Sequence, residues 1–299
     1  MQKIHLLFSR SVRGTTLLLL LLCVVPVLSS CASKSFKDNN GLEKVLWTKF
    51  HNQYTSPPAE GGYYISFSLY LSYKNNGKKK GNRTLVTLWG NNNGETRLDL
   101  TAGVGTLLAS LREEENGLVA YYPEEKQAFY HQNAEAGLKC LGFPIPMALS
   151  DLAMLLYGSF DTFVPAEYQE ATLLTENQVG YVPVPNHRGI TYIVLDSEGK
   201  PIKLEGRSAD GRNNEQSDWR IVLEKYSGRE NTSGPQTAGK VTLSFTGTRD
   251  DATGVLRVKA LEDRPLWQEK SLELTLPEDT ERVSLDAERR AEFDMQRAQ

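Results

Sequence analysis

Between Tyr63 and Tyr73 the chain alternates without a break. The odd positions are Tyr63, Ile65, Phe67, Leu69, Leu71 and Tyr73, and the even ones include Ser66, Ser68 and Ser72. Eleven residues of period two gather Ile65, Phe67, Leu69 and Leu71 on one face of an extended strand, and no helix can reproduce that spacing. The same reading gives strands at 84–89, 96–100, 118–122 and 127–131. Turn-rich segments separate them, at Lys74 to Asn82, at Asn91-Asn92-Asn93-Gly94 and at Pro123-Glu124-Glu125. Connections this short join antiparallel neighbours, hence a meander. For Thr106 to Glu115 the pattern leaves strand and helix both open.

Other segments have a different period. Leu42, Val45, Leu46, Phe50 and Tyr54 recur at helical spacing, and Pro57-Pro58 ends that segment. Gly142-Phe143-Pro144-Ile145-Pro146 cannot continue a ladder. Met147 to Tyr157, with Leu149, Leu152, Ala153, Leu155 and Leu156, then reads as a helix stopped by Gly158. After an irregular stretch, a second strand set is expected at 191–195, 219–226, 241–246, 256–261 and 272–276. Residues 278–299 read as a charged tail, helical or frayed. Two strand sets with a helical insertion predict one curved antiparallel sheet carrying helices on its concave side.

The N-terminus reads as an address. Lys3, Arg10 and Arg13 precede an apolar run from Leu17 to Leu28. Twelve helical residues span roughly 18 Å, short of a roughly 30 Å hydrocarbon core. That is the size of a signal-peptide apolar region and not of a stable transmembrane helix. Leu28-Ser29-Ser30-Cys31 follows, and it resembles the bacterial lipobox. The resemblance implies a signal peptide over 1–30, lipid on Cys31, and a polar tether over 31–40. Ala32-Ser33-Lys34, with no Asp in second place, implies by the same resemblance sorting to the outer membrane. Once Cys23 leaves with the signal and Cys31 is acylated, Cys140 is alone; it has no disulfide partner and is expected to be a buried, small apolar residue.

Composition excludes other classes. Beyond residue 30 the chain holds 31 cations against 37 acids, so nothing electrostatic points to nucleic acid. No H-E-x-x-H, C-x-x-C, G-x-S-x-G or phosphate-loop motif is present. His51, His131 and His187 lack metal-ligand spacing. Glu113-Glu114-Glu115 and Glu124-Glu125 read as solvated acids near turns. Gly103-Val104-Gly105 superficially opens a dinucleotide fingerprint, but Leu108 stands where its third glycine belongs. The expectation is a binding protein, not an enzyme, with no metal and no cofactor beyond the covalent lipid. Aromatic residues crowd the first strand set, including Tyr63, Phe67, Tyr70, Trp89, Tyr121 and Phe129. Periodicity alone does not separate a filled core from an open apolar pocket.

Several phrases resemble the LolA/LolB lipoprotein-localisation family, and its outer-membrane member LolB in particular. They are Thr87-Leu88-Trp89, the run Thr96 to Thr106, and the Gly142-Phe143-Pro144-Ile145-Pro146 segment with its following helix. Trp219 to Tyr226 and Val241 to Thr246 look like that family's central and late strands. The resemblance covers about 42 to 280. It implies an α+β, mostly β fold, an open antiparallel half-barrel over 41–280 with a helical lid on the concave face, followed by a charged tail over 281–299. It further implies a cavity for acyl chains lined by Phe67, Leu69, Trp89, Leu98 and Leu100, with Leu149, Leu152 and Leu156 on the lid. Val104 falls where the family has a protruding apolar tip that delivers lipid into the membrane. The implied partners are the outer membrane, a LolA-like periplasmic carrier and lipoprotein cargo, with the protein a monomer. Val is smaller than the usual Leu at the tip, and there is extra polar sequence near 200–215 and 228–238. A structural or assembly lipoprotein that binds a protein partner without lipid cargo stays open as the alternative.

Overall fold

The computed structural model describes residues 41–56, 60–75, 78–92, 94–143, 147–185, 189–209, 216–228, 234–246 and 252–286. The segments expected as signal peptide (1–30) and tether with Cys31 (31–40), and most of the one expected as a charged tail (281–299), lie outside these residues. So does the Pro144-Ile145-Pro146 part of the family-like segment. The described residues all fall within one compact unit that begins at Gly41. Every described buried apolar residue lies between Leu46 and Leu285, so this unit carries its own core.

Fourteen strands form one sheet. They are β1 (Gly62–Asn75), β2 (Lys78–Asn91), β3 (Thr96–Thr101), β4 (Leu107–Glu114), β5 (Gly117–Tyr122), β6 (Gln127–His131), β7 (Tyr168–Thr175), β8 (Gln178–Pro183), β9 (Ile190–Asp196), β10 (Pro201–Ala209), β11 (Gln216–Ser227), β12 (Thr237–Thr246), β13 (Ala252–Arg264) and β14 (Glu281–Ser284). Their order is β14-β6-β5-β4-β3-β2-β1-β13-β12-β11-β10-β9-β8-β7. Neighbours are antiparallel except β14, which runs parallel to β6. β7 and β14 are not paired with each other, so the sheet is open. Laid flat, fourteen strands would extend roughly 60 Å. Yet one contiguous apolar core draws on strands from β1 to β13, so the sheet curls around its helices. This is the mostly β, open antiparallel architecture expected from the sequence.

Helices fill the concave side. α1 (Leu42–Tyr54) buries Leu46, Trp47, Phe50 and Tyr54. The Trp47 indole donates to the Ala166 carbonyl at 2.8 Å, and the Tyr181 hydroxyl donates to the Glu43 carbonyl at 2.8 Å, which pins α1 to the β8 side. α2 (Ala134–Cys140) rests on β5 and β6, with the Asn133 side chain capping its first turn. α3 (Leu149–Tyr157) touches β2, β3 and β12, and so lies across the centre of the sheet. Asp151 accepts from the Ala148 N–H at 2.9 Å at its start. Gly158, at φ +80°, lets the Ser159 N–H reach the Met154 carbonyl and closes its end.

Several sequence expectations need correction. Lys74 to Asn82 is not a loop: β1 and β2 continue through it, separated by two residues only. Thr106 to Glu115 is mostly strand β4. β7, β8 and β10 occupy stretches read as irregular or extra. Cys140 is exposed, not buried. Leu272 to Leu276 does not join the sheet. The short helix α4 (Glu269–Leu272) opens a strap that runs over the outer face of the sheet. Along it the Trp267 indole donates to the Tyr63 carbonyl at 3.1 Å, and the Trp89 indole to the Ser271 carbonyl at 3.2 Å. Lys126 pairs with Asp279 before the chain adds β14 beside β6 and buries Leu285. The segment expected as a tail from 278 therefore begins as part of the fold.

Candidate functional site

Two features of the expected site can be placed, the apolar tip and the concave face. The tip is the β3–β4 loop. Inside it the Ala102 N–H donates to the Thr106 carbonyl and the Gly105 N–H to the Ala102 carbonyl, both at 2.8 Å. Gly105 sits at φ +86°, the left-handed region in which a side chain is strained. These bonds hold the loop as a defined turn with Val104 at its apex. Val104 is 90% exposed, and Leu107 and Leu108 beside it are 36% and 37% exposed. No charged residue lies between Asp99 and Arg112. An apolar side chain held in water at the apex of an uncharged, hydrogen-bonded loop gives folding no benefit.

On the concave face, cross-strand pairs decide which side chains point inward. Ile65 lies opposite Leu88, Phe67 opposite Val86, Leu88 opposite Leu98, and Val86 opposite Leu100. Phe67 and Leu98 are essentially sealed in the core, while Leu69 and Leu100 pack against it partly buried. Leu149 and Leu156 of α3 are fully buried against this face, with Leu152 nearly so. The side chains expected to line a cavity and its lid are thus in one place and in mutual packing; the space between them is occupied. Towards the edge that carries Val104 the packing thins from sealed Phe67 to partly buried Leu69 and then to Leu71, 37% exposed.

Trp89 is the correction among the site residues. Leu88 points inward, so the period of two sends Trp89 to the outer face. There it lies beside Arg97, its cross-strand partner, whose guanidinium sits 5.4 Å from the ring centre. The strap covers both, and Arg97 also donates to the Glu273 carbonyl. Trp89 anchors the strap and lines no cavity.

Glu113 was expected among solvated acids. It instead accepts from the Ser150 N–H at 2.9 Å and the Ser150 hydroxyl at 2.6 Å, tying β4 to the first turn of α3. Burial pushes its carboxyl above the ordinary glutamate value, opposed by the Ser150 bonds and reinforced by nearby Asp151. A cavity of about 370 Å³ beside it is lined by Glu113, Glu114, Glu115, Glu135, Ser150 and Asp151 among others. A second, of about 270 Å³, is lined by Glu205, Arg207, Asp218, Trp219 and Arg220 among others. Both are too polar for an acyl chain. Among the described residues no group of three or more His, Cys, Asp or Glu could hold a metal. No helix among them is long and apolar enough to cross a membrane.

No protein-family model matches the chain. No curated protein matches it either. Solved structures do. A LolA-superfamily protein from Nitrosomonas europaea is 13% identical with a TM-score of 0.46, over 77% of this chain and 97% of that one. A domain from Vibrio parahaemolyticus, described as an outer membrane lipoprotein-sorting protein domain, is 13% identical with a TM-score of 0.47, over 78% and 97%. A DUF1329-family protein from Desulfovibrio piger is 11% identical with a TM-score of 0.44, over 79% and 98%. At such identity and overlap, function is read from this chain's own geometry.

Proposed function

We propose that the protein is a lipoprotein anchored by acylated Cys31 at the periplasmic face of the bacterial outer membrane. It binds lipoprotein acyl chains, or a related lipid, beneath α3 and passes them to the bilayer through the Val104 loop. No bond is made or broken. Cargo moves because apolar contacts in the acceptor exceed those in a LolA-like carrier, each buried CH₂ contributing about 0.8 kcal/mol. The protein acts as a monomer, needs no cofactor and has no nucleic-acid partner.

The observation that carries this reading is the β3–β4 loop: ordered, uncharged, and holding Val104 almost wholly in water. Burying a Val side chain in hydrocarbon contributes about 1.5 kcal/mol or more, roughly tenfold in partition. Val104→Glu is therefore expected to lower membrane delivery at least tenfold. The urea midpoint should not move, because an exposed side chain contributes little to folding. Unchanged delivery would remove the loop from the mechanism.

The filled concave face favours a second reading, a structural or assembly lipoprotein with a protein partner and no lipid cargo. Native mass spectrometry of residues 41–299 separates the two. Adducts of acyl-chain mass, displaced by a lipidated peptide but not by its unlipidated form, support the carrier. A clean mass with no acyl-dependent binding supports the scaffold.

A further inference from the structure

β1 and β2 outrun their neighbours. The last residue of β3, Thr101, lies opposite Leu85, so residues 78–84 of β2 extend past β3 by on the order of 20 Å. β13 accompanies β1 only as far as Tyr73. The projecting hairpin is basic: Lys74, Lys78, Lys79, Lys80 and Arg83 lie in it, and no acid occurs between Glu60 and Glu95. The register sets Lys74 opposite Lys79. Lys80 and Arg83 are exposed.

Strand direction places this hairpin on the edge that also carries Val104. β1 and β3 run the same way, so the β1–β2 and β3–β4 connections emerge together. Nearer the sheet than the lysines are Tyr70, opposite Arg83 and 40% exposed with its ring over Gly81, and Leu71. Lysines towards the free end of the hairpin, an aromatic residue with a polar tip nearer the sheet, and an apolar loop alongside form a residue order that suits a bilayer interface. The nearest acids in the sequence at this edge are Asp250 and Asp251, with Arg249, in the β12–β13 connection, then Asp210 and Glu215, with Arg212, in the β10–β11 connection, both connections outside the described residues, and Glu124 and Glu125 three strands beyond β2.

We infer that this edge docks on an anionic phospholipid surface, the hairpin cations against acidic headgroups while the Val104 loop enters the acyl layer. The inference rests on the loop's proposed membrane role and adds a lipid-headgroup requirement to it. A single small apolar side chain holds a bilayer only marginally, and a polybasic segment is the second signal that makes such contact persist.

Co-sedimentation of residues 41–299 with vesicles tests it, using phosphatidylcholine alone or an equal mixture with phosphatidylglycerol. Each cation near an acidic surface strengthens partition about fivefold. K78Q/K79Q/K80Q should therefore lose on the order of a hundredfold in binding to the mixed vesicles and nothing on neutral ones. K78R/K79R/K80R should retain it. Salt near 1 M, where screening acts within about 3 Å, should abolish the preference for mixed vesicles. An unchanged circular dichroism spectrum for the Gln variant confirms that the fold is intact. Equal binding of the unaltered protein to both vesicle types overturns the inference, as does mixed-vesicle binding that survives the Gln substitutions. A V104E variant that weakens binding to both vesicle types alike leaves the loop reading standing whatever the hairpin does. Salt-sensitive binding to polyglutamate, with no vesicle preference, overturns the bilayer in favour of an acidic protein partner.

Discussion

Glu113 joins the chemistry of one side chain to the seating of a helix. Its carboxylate takes two hydrogen bonds from Ser150, yet burial still holds its proton more tightly than in the unfolded chain. A carboxyl whose folded pKa is raised binds more proton in the folded state, so stability falls as pH rises from the ordinary glutamate value to the raised one. The fall is bounded at about 1.4 kcal/mol per pH unit, the limit for one proton. Glu113→Gln cannot titrate, while its carbonyl can still accept from the Ser150 N–H and its amide can donate to the Ser150 hydroxyl. The variant's urea midpoint, taken relative to that of the unaltered protein, should therefore rise between pH 4 and pH 7. Parallel profiles would show that Glu113 does not carry the pH dependence. Its environment was not legible in the sequence, because a run of three glutamates looks solvated until α3 arrives from 37 residues away. Val104 was placed at a protruding tip by the family resemblance alone, and the turn with glycine on both sides gives the physical reason, since it has nowhere to bury a side chain. Trp89 was misread because the family resemblance put its strand in the half-barrel, while its parity with Leu88 already placed the side chain outside.

At the scale of elements, strands with a clean period of two were readable and those that make room for a neighbour were not. β10 is the clearest case. Its inward positions are Leu204, Gly206 and Ser208, so the apolar signal vanishes after one residue. The cause is Trp219 on β11, which lies opposite Gly206 and fills the place a side chain would take. A Cβ on Gly206 would stand 2.1 Å from Trp219 Cζ2 and 2.6 Å from the Gly189 carbonyl. Neither the buried indole nor the backbone can retreat, so Gly206→Ala should cost about 1–3 kcal/mol by overpacking. Gly103→Ala, in open space, should stay within about 0.5 kcal/mol. Equal urea midpoints for the two variants would refute this account of β10. The strap illustrates the opposite error: Leu272, Leu274 and Leu276 do alternate, but against the outer face and outside any ladder. Alternation reports which side of a segment is covered, and it is silent about what covers it.

The whole molecule is a sheet that buries both faces differently. Helices α1 and α3 fill the concave face, whereas the outer face around β2 and β3 is covered by a strap that crosses from β13 to β6. That strap secures Trp89 and Arg97, buries Leu272 and Leu285, and lays β14 along an otherwise bare edge. An uncovered edge strand is a template for pairing with other chains. A chain ending at Arg264 should therefore be less stable than one ending at Asp286 by at least the burial of two leucines, about 3 kcal/mol. It should also associate through β6 at concentrations where the longer chain stays monomeric. Urea denaturation and analytical ultracentrifugation read the two effects separately. Lost stability without association would mean that β6 is protected by its own short length, with the strap acting only as a clasp on the outer face. Matching midpoints for the two chains would mean that the strap rests on a sheet already complete without it.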